Sequence, residues 1–117
     1  MSLPLDLAQL NRYTGGDAAL NGEILRLFAT QCQEIVEKFE GLAQAPEGPG
    51  AKHWHDTAHT LKGAARGVGA FPLADVAAGA EHLDPTDRPA LLEAVQTLKA
   101  RAAEVCVFIE DVLRISR

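Results

Sequence analysis

Between Gly15-Gly16 and the segment Pro46-Glu47-Gly48-Pro49-Gly50 runs a stretch whose apolar residues recur at the spacing of one helix face. Leu20, Ile24, Leu27, Phe28, Cys32, Ile35, Phe39 and Leu42 follow one another in steps of three, four or one. That is the period of an amphipathic helix. It predicts a long helix from Asp17 to Ala45, with Asp17 as N-cap. The Pro/Gly segment ends it, because proline lacks a donor N–H and glycine favours turns. In a chain of 117 residues, one domain over 1–117 is expected.

The remaining pattern is also helical. A second helix is expected from Ala51 to Val68, with Gly67 and Gly69 marking its end. A third fits Pro72 to Leu83, with Leu73, Val76, Ala77, Ala80 and Leu83 on one face and proline suited to its first turn. After the turn Asp84-Pro85-Thr86-Asp87, residues Leu91, Val95, Leu98, Ala102, Val105, Ile109 and Val112 alternate in steps of four and three, the rhythm of a bundle seam. A short lead-in helix, Leu5 to Arg12, caps one end through Leu7 and Leu10. No stretch alternates in period two. The expected fold is all-α: an antiparallel up-down-up-down four-helix bundle with a short N-terminal lead-in helix. Four amphipathic helices can close a core without a second copy, so a monomer is expected.

Charge and composition narrow the function classes. A formal net charge of −5 argues against nucleic acid as the main partner. The start, Met1-Ser2-Leu3-Pro4, lacks the basic and apolar regions of a signal peptide. No apolar run approaches the roughly 20 residues of a membrane span. A cytoplasmic location is the expectation. Cys32 and Cys106 sit in periodic apolar stretches and read as small buried hydrophobes; a disulfide between them is neither required nor excluded by spacing.

The second helix carries the chemistry. With about 100° per residue and His59 as origin, Trp54, Ala58, Leu61, Ala64, Ala65 and Val68 gather on the far side. Lys52, His55, Asp56, Lys62, Gly63 and Arg66 fall within roughly 60° of His59. His59 is therefore expected on the solvent face, in a polar and cationic stripe.

These neighbours suit a histidine that carries an anion. Lys62 and Arg66 follow His59 by one and two turns and offer positive charge. Gly63 leaves space beside the ring at a helix-propensity cost of about 1 kcal/mol relative to alanine. The alternative for Gly63 is close approach of a neighbouring helix. A neutral imidazole nitrogen is nucleophilic near neutral pH without a strong base. Phosphoryl transfer needs mainly in-line positioning and neutralised charge on the equatorial oxygens. His55, one turn before His59, reads as a solvated surface residue, with a second acceptor or a tuning neighbour as the alternatives, and Asp56 as a charge-balancing one.

The run Ala58-His59-Thr60-Leu61-Lys62-Gly63-Ala64-Ala65-Arg66-Gly67-Val68-Gly69-Ala70 resembles the signature of histidine-containing phosphotransfer (HPt) domains, H-x-x-K-G followed by a small or polar run and a G-A pair. Leu73, Ala77 and Glu81-His82-Leu83 look like the family's next helix, and the resemblance extends over about residues 5–115. It implies that His59 is the phosphoacceptor, that Lys62 helps hold the phosphoryl group and that Gly63 keeps the ring accessible, with Arg66, Glu81 and His55 as supporting residues. In several members a glutamine on the next helix bonds the imidazole or phosphoryl group. Glu81 stands at the matching position here; a glutamate would orient the ring through an N–H but repel a phosphoryl group. The resemblance further implies a phosphoryl carrier without its own kinase or nucleotide-binding domain. Its expected partners are response-regulator receiver domains and a hybrid sensor kinase. It would hold no cofactor, Mg²⁺ being supplied by the receiver.

Two other readings compete. His55 and His59 form H-x-x-x-H, a pair that can bind one metal ion; Asp56 stands where the zinc-protease motif has glutamate, and His82 is a third ligand only if folding brings it near. A plain helical adaptor would explain the periodicity but not the His-Lys-Gly face. Around His59, Leu7, Leu10 and Phe71 are candidates for a docking rim or, equally, for the core.

Overall fold

The computed structural model describes residues 3–45, 47–48 and 50–115, and among them every regular element is an α-helix. These are α1 (Leu7–Thr14), α2 (Ala18–Gln44), α3 (Ala51–Val68), α4 (Phe71–Glu81) and α5 (Arg88–Ile115). Helices α2 to α5 form the antiparallel bundle, each packing on its neighbour in sequence and α5 returning against α2 to close the ring. Helix α1 lies across α2 and α3 at one end.

Local chemistry sets the helix ends. Asp6, Asp17 and Asp87 accept hydrogen bonds from the first-turn amides of α1, α2 and α5 at 3.0, 3.1 and 3.2 Å, satisfying donors that the helix leaves open. The last carbonyls of α2 are met from outside: the Arg88 guanidinium donates to Ala43 O at 3.1 Å and Ala45 O at 2.6 Å. Helix α3 ends at Gly69, in the left-handed region at φ 89°. Ala70 N donates to Ala65 O at 2.8 Å and Gly69 N to Arg66 O at 3.2 Å, the paired bonds of a Schellman stop. Gly67 belongs to the last turn of α3 itself, so only Gly69 marks the end.

The core includes Leu25, Phe28, Cys32, Phe39, Trp54, Leu61, Leu73, Leu91, Leu98 and Ile109. Phe39 and Trp54 meet edge-to-face with centroids 4.9 Å apart and planes at 72°. All of the α5 seam predicted from Leu91 through Ile109 is buried, with Val112 partly so. The α2 face keeps much of its expected stripe, with Ile24, Ile35 and Leu42 partly buried, and widens to one side of it. Phe28, Cys32 and Phe39 are buried, but so are Leu25, Val36 and Ala43, while Leu20 and Leu27 are 40% and 70% exposed. Adjacent apolar pairs (Ile24 and Leu25, Leu27 and Phe28, Ile35 and Val36) allow two stripes, and packing against α3 and α5 selects one.

Other expectations also shift. Helix α1 starts at Leu7, not Leu5, and Leu5 is fully buried before it. Leu10 is 2% exposed; it belongs to the core and drops out as a docking residue. Leu7 is half-buried against the same core, and Phe71 remains 39% exposed. Helix α4 stops at Glu81, leaving Leu83 beyond it. Cys32 and Cys106 are free thiols, and burial pushes the Cys32 thiol up to about 12, so it packs as an uncharged apolar group. Among the described residues no helix is long and apolar enough to cross a membrane.

Gly69 joins the lead-in segment to α3. Its carbonyl accepts from Asp6 N at 2.8 Å, and a Cβ there would run into the Asp6 carbonyl oxygen. Gly69→Ala therefore combines left-handed strain with a backbone clash. Urea denaturation should show a loss of about 2–3 kcal/mol, whereas Gly41→Ala, where a Cβ meets nothing, should show none.

Candidate functional site

The phase of α3 is the one expected from the sequence. Trp54, Ala58, Leu61, Ala65 and Val68 are buried, Ala64 is partly buried, and His55, Asp56, His59, Gly63 and Arg66 are exposed. Thr57 is buried as well, because its hydroxyl donates to His53 O at 2.7 Å and needs no solvent. Gly63 has open space where a Cβ would stand. The possibility that it admits a neighbouring helix is thereby removed.

The site is completed by one residue from α4. Glu81 is 7% exposed, the one charged residue in the core of the described structure. Its Oε1 lies 2.8 Å from His59 Nδ1 and its Oε2 accepts from Lys62 Nζ at 2.6 Å. Hydrogen bonds from Lys62 and then His59 hold the Glu81 carboxyl well below its ordinary range, at about 2, against the opposing effect of burial. Glu81 is thus ionised at neutral pH and can only accept. It follows that His59 carries its proton on Nδ1. In the neutral ring Nε2 therefore holds the lone pair, and it makes no hydrogen bond to the described residues, on a side chain 65% exposed.

His55 is not simply solvated. Its side chain is half-exposed, but Nδ1 lies 3.3 Å from Glu81 O and Nε2 lies 3.5 Å from Glu81 Oε1. The two imidazoles are nearly parallel, at 12°, with centroids 6.1 Å apart. Of the two histidines, therefore, only His59 turns a nitrogen away from Glu81. Asp56 pairs instead with Lys52 at 2.9 Å, on the exposed surface, where such a bond adds little stability. Arg66 is exposed, about 10 Å along the helix from His59. His82 caps α4 and does not complete a metal site with His55 and His59: among the described residues no group of three or more His, Cys, Asp or Glu side chains could hold a metal ion.

The sequence matches the Hpt domain family over residues 23–106. The chain belongs to that family. Hpt domains carry out histidine phosphotransfer in two-component signalling, act as phosphocarriers and not as kinases, and interact with receiver domains and kinases. No curated protein and no solved structure gives a significant match.

The role of Glu81 has a pH signature. A carboxyl held at about 2 when folded stabilises the fold above its unfolded value near 4.5, and that contribution disappears as pH falls through about 2. Glu81→Gln should be less stable than wild type at pH 7. The gap should narrow as the pH is lowered from about 4.5 toward 2, measured by urea denaturation at each pH.

Proposed function

We propose that His59 is the phosphoacceptor of a phosphorelay carrier. It takes a phosphoryl group from a receiver-domain aspartate and passes it to a second receiver. The observation that carries this reading is the bond between His59 Nδ1 and Glu81, which leaves Nε2 as the free nucleophile on the exposed face. The Nε2 lone pair forms the N–P bond as the P–O bond of the partner's aspartyl phosphate breaks, returning the electron pair to the aspartate carboxylate. Reversal against a second aspartate delivers the group onward. The Nδ1 proton stays on Nδ1, against Glu81, throughout.

Glu81 does not obstruct this chemistry. Its carboxylate faces Nδ1, on the other side of the ring from the incoming phosphorus, and Lys62 offsets its charge. Lys62, bonded to Glu81 one turn along α3 from His59, adds positive charge beside a group whose equatorial oxygens carry the charge in the transition state. Arg66 extends the positive field along the approach, and Gly63 leaves it unobstructed. Mg²⁺ and the acceptor aspartate come from the receiver. A hybrid sensor kinase is the source of the phosphoryl group, and the carrier acts in the cytoplasm as a monomer.

Incubation with phosphorylated receiver domains tests this directly. Acid-labile, base-stable label should appear on the wild-type chain and be absent from His59→Gln, whose circular dichroism should be unchanged; labelled His59→Gln would refute it. Gly63 separates function from stability. Gly63→Ala should raise stability by about 1 kcal/mol, since its methyl meets no neighbour. Gly63→Leu, in contrast, should slow transfer from a receiver while leaving the fold intact, a comparison made by thermal denaturation and single-turnover transfer.

A further inference from the structure

Glu81 is the last residue of α4, where helical carbonyls lack partners of their own. That turn is loosely closed from within: His82 N reaches Gly79 O at 3.4 Å and Leu83 N reaches Ala80 O at 3.2 Å. Helix α4 has no basic residue in its last turn to supply further donors. Two consecutive residues of α3 supply them. Trp54 Nε1 donates to Ala80 O at 2.8 Å inside the core, and His55 Nδ1 bonds Glu81 O at 3.3 Å from the surface. A carbonyl oxygen only accepts, so the proton on that bond belongs to His55 Nδ1.

The same imidazole then flanks the Glu81 side chain. Its Nε2 is 3.5 Å from Oε1, the oxygen that binds His59. His55 thus holds the backbone of the residue that orients His59 and borders the carboxylate doing so. Trp54 anchors the turn one residue earlier, at Ala80; the link to Glu81's own carbonyl is His55.

We infer that His55 is a positioning residue for phosphotransfer: it pins the last turn of α4 so that Glu81 Oε1 stays on His59 Nδ1 and the lone pair stays on Nε2. Once that bond is lost, the α4 end frays, Oε1 leaves Nδ1, and His59 divides between its two tautomers. The tautomer with its proton on Nε2 has no lone pair there to attack phosphorus. The kinetic part of the inference rests on His59 being the acceptor; the tautomeric part does not.

Nitrogen-15 NMR of the His59 ring above neutral pH reads the tautomer without any phosphoryl donor. Wild type should show the proton on Nδ1. His55→Ala should show a mixture and accept phosphoryl groups severalfold more slowly, in proportion to the share of His59 that keeps its lone pair on Nε2. His55→Asn places an amide N–H where Nδ1 stood and should restore both. An unchanged His59 tautomer in His55→Ala overturns the inference, and so does failure of His55→Asn to restore it. Wild-type protein that takes no label would defeat the acceptor reading of His59 while leaving the tautomer comparison to decide the role of His55.

Discussion

A carboxylate removed from water is costly unless its lone pairs find donors and its charge finds a counterion. Glu81 meets both conditions between α3 and α4. Lys62 occupies one oxygen and His59 the other, and its backbone carbonyl is bonded to His55. Three side chains of α3, each about one turn from the next, converge on one residue of α4. This arrangement depends on the way the two helices pack, and in turn it decides which nitrogen of His59 is free. Replacing one partner would leave the others facing a misplaced charge.

The packing that holds Glu81 is built from both ends of α3. At its C-terminus, Gly69 turns the chain tightly enough for α4 to begin at Phe71, so α4 lies back along α3. Toward its N-terminus, Trp54 fills the core beside Phe39 and donates its indole N–H to α4. Between these anchor points Leu61, Ala65, Leu73 and Ala77 are buried. The small residues on α4 permit close approach, which is what puts a side chain as short as glutamate within reach of His59. In the proposed role, the remaining catalytic machinery comes from a receiver partner; what the fold contributes is an oriented imidazole with open space beside it.

Much of this is legible in the residues. The phase of α3 alone places His59, Lys62, Gly63 and Arg66 on one face, because the helical period leaves little freedom once Trp54, Leu61 and Val68 must be buried. The α5 seam is equally plain. In α2 adjacent apolar pairs support two stripes; the buried one keeps Phe28, Cys32 and Phe39 and takes Leu25 and Val36 over Ile24 and Ile35, a choice that belongs to the helices packed against it. Leu10 suits a docking rim on sequence grounds, but the lead-in helix presses it into the core. His55 reads as a surface residue because nothing in the run of α3 reveals that the end of α4 lies beside it.

By itself, then, the sequence determined the helices, the exposed histidine and its cationic neighbours, for the physical reason that periodicity and turn residues act locally along the chain. Only the tertiary structure decided what Glu81 does. A glutamate that would repel a phosphoryl group from one side of the ring instead meets Nδ1 from the other, with its charge offset by Lys62. That relation spans 22 residues between His59 and Glu81, and a contact across such a separation is set by how two helices pack, not by the period of either one.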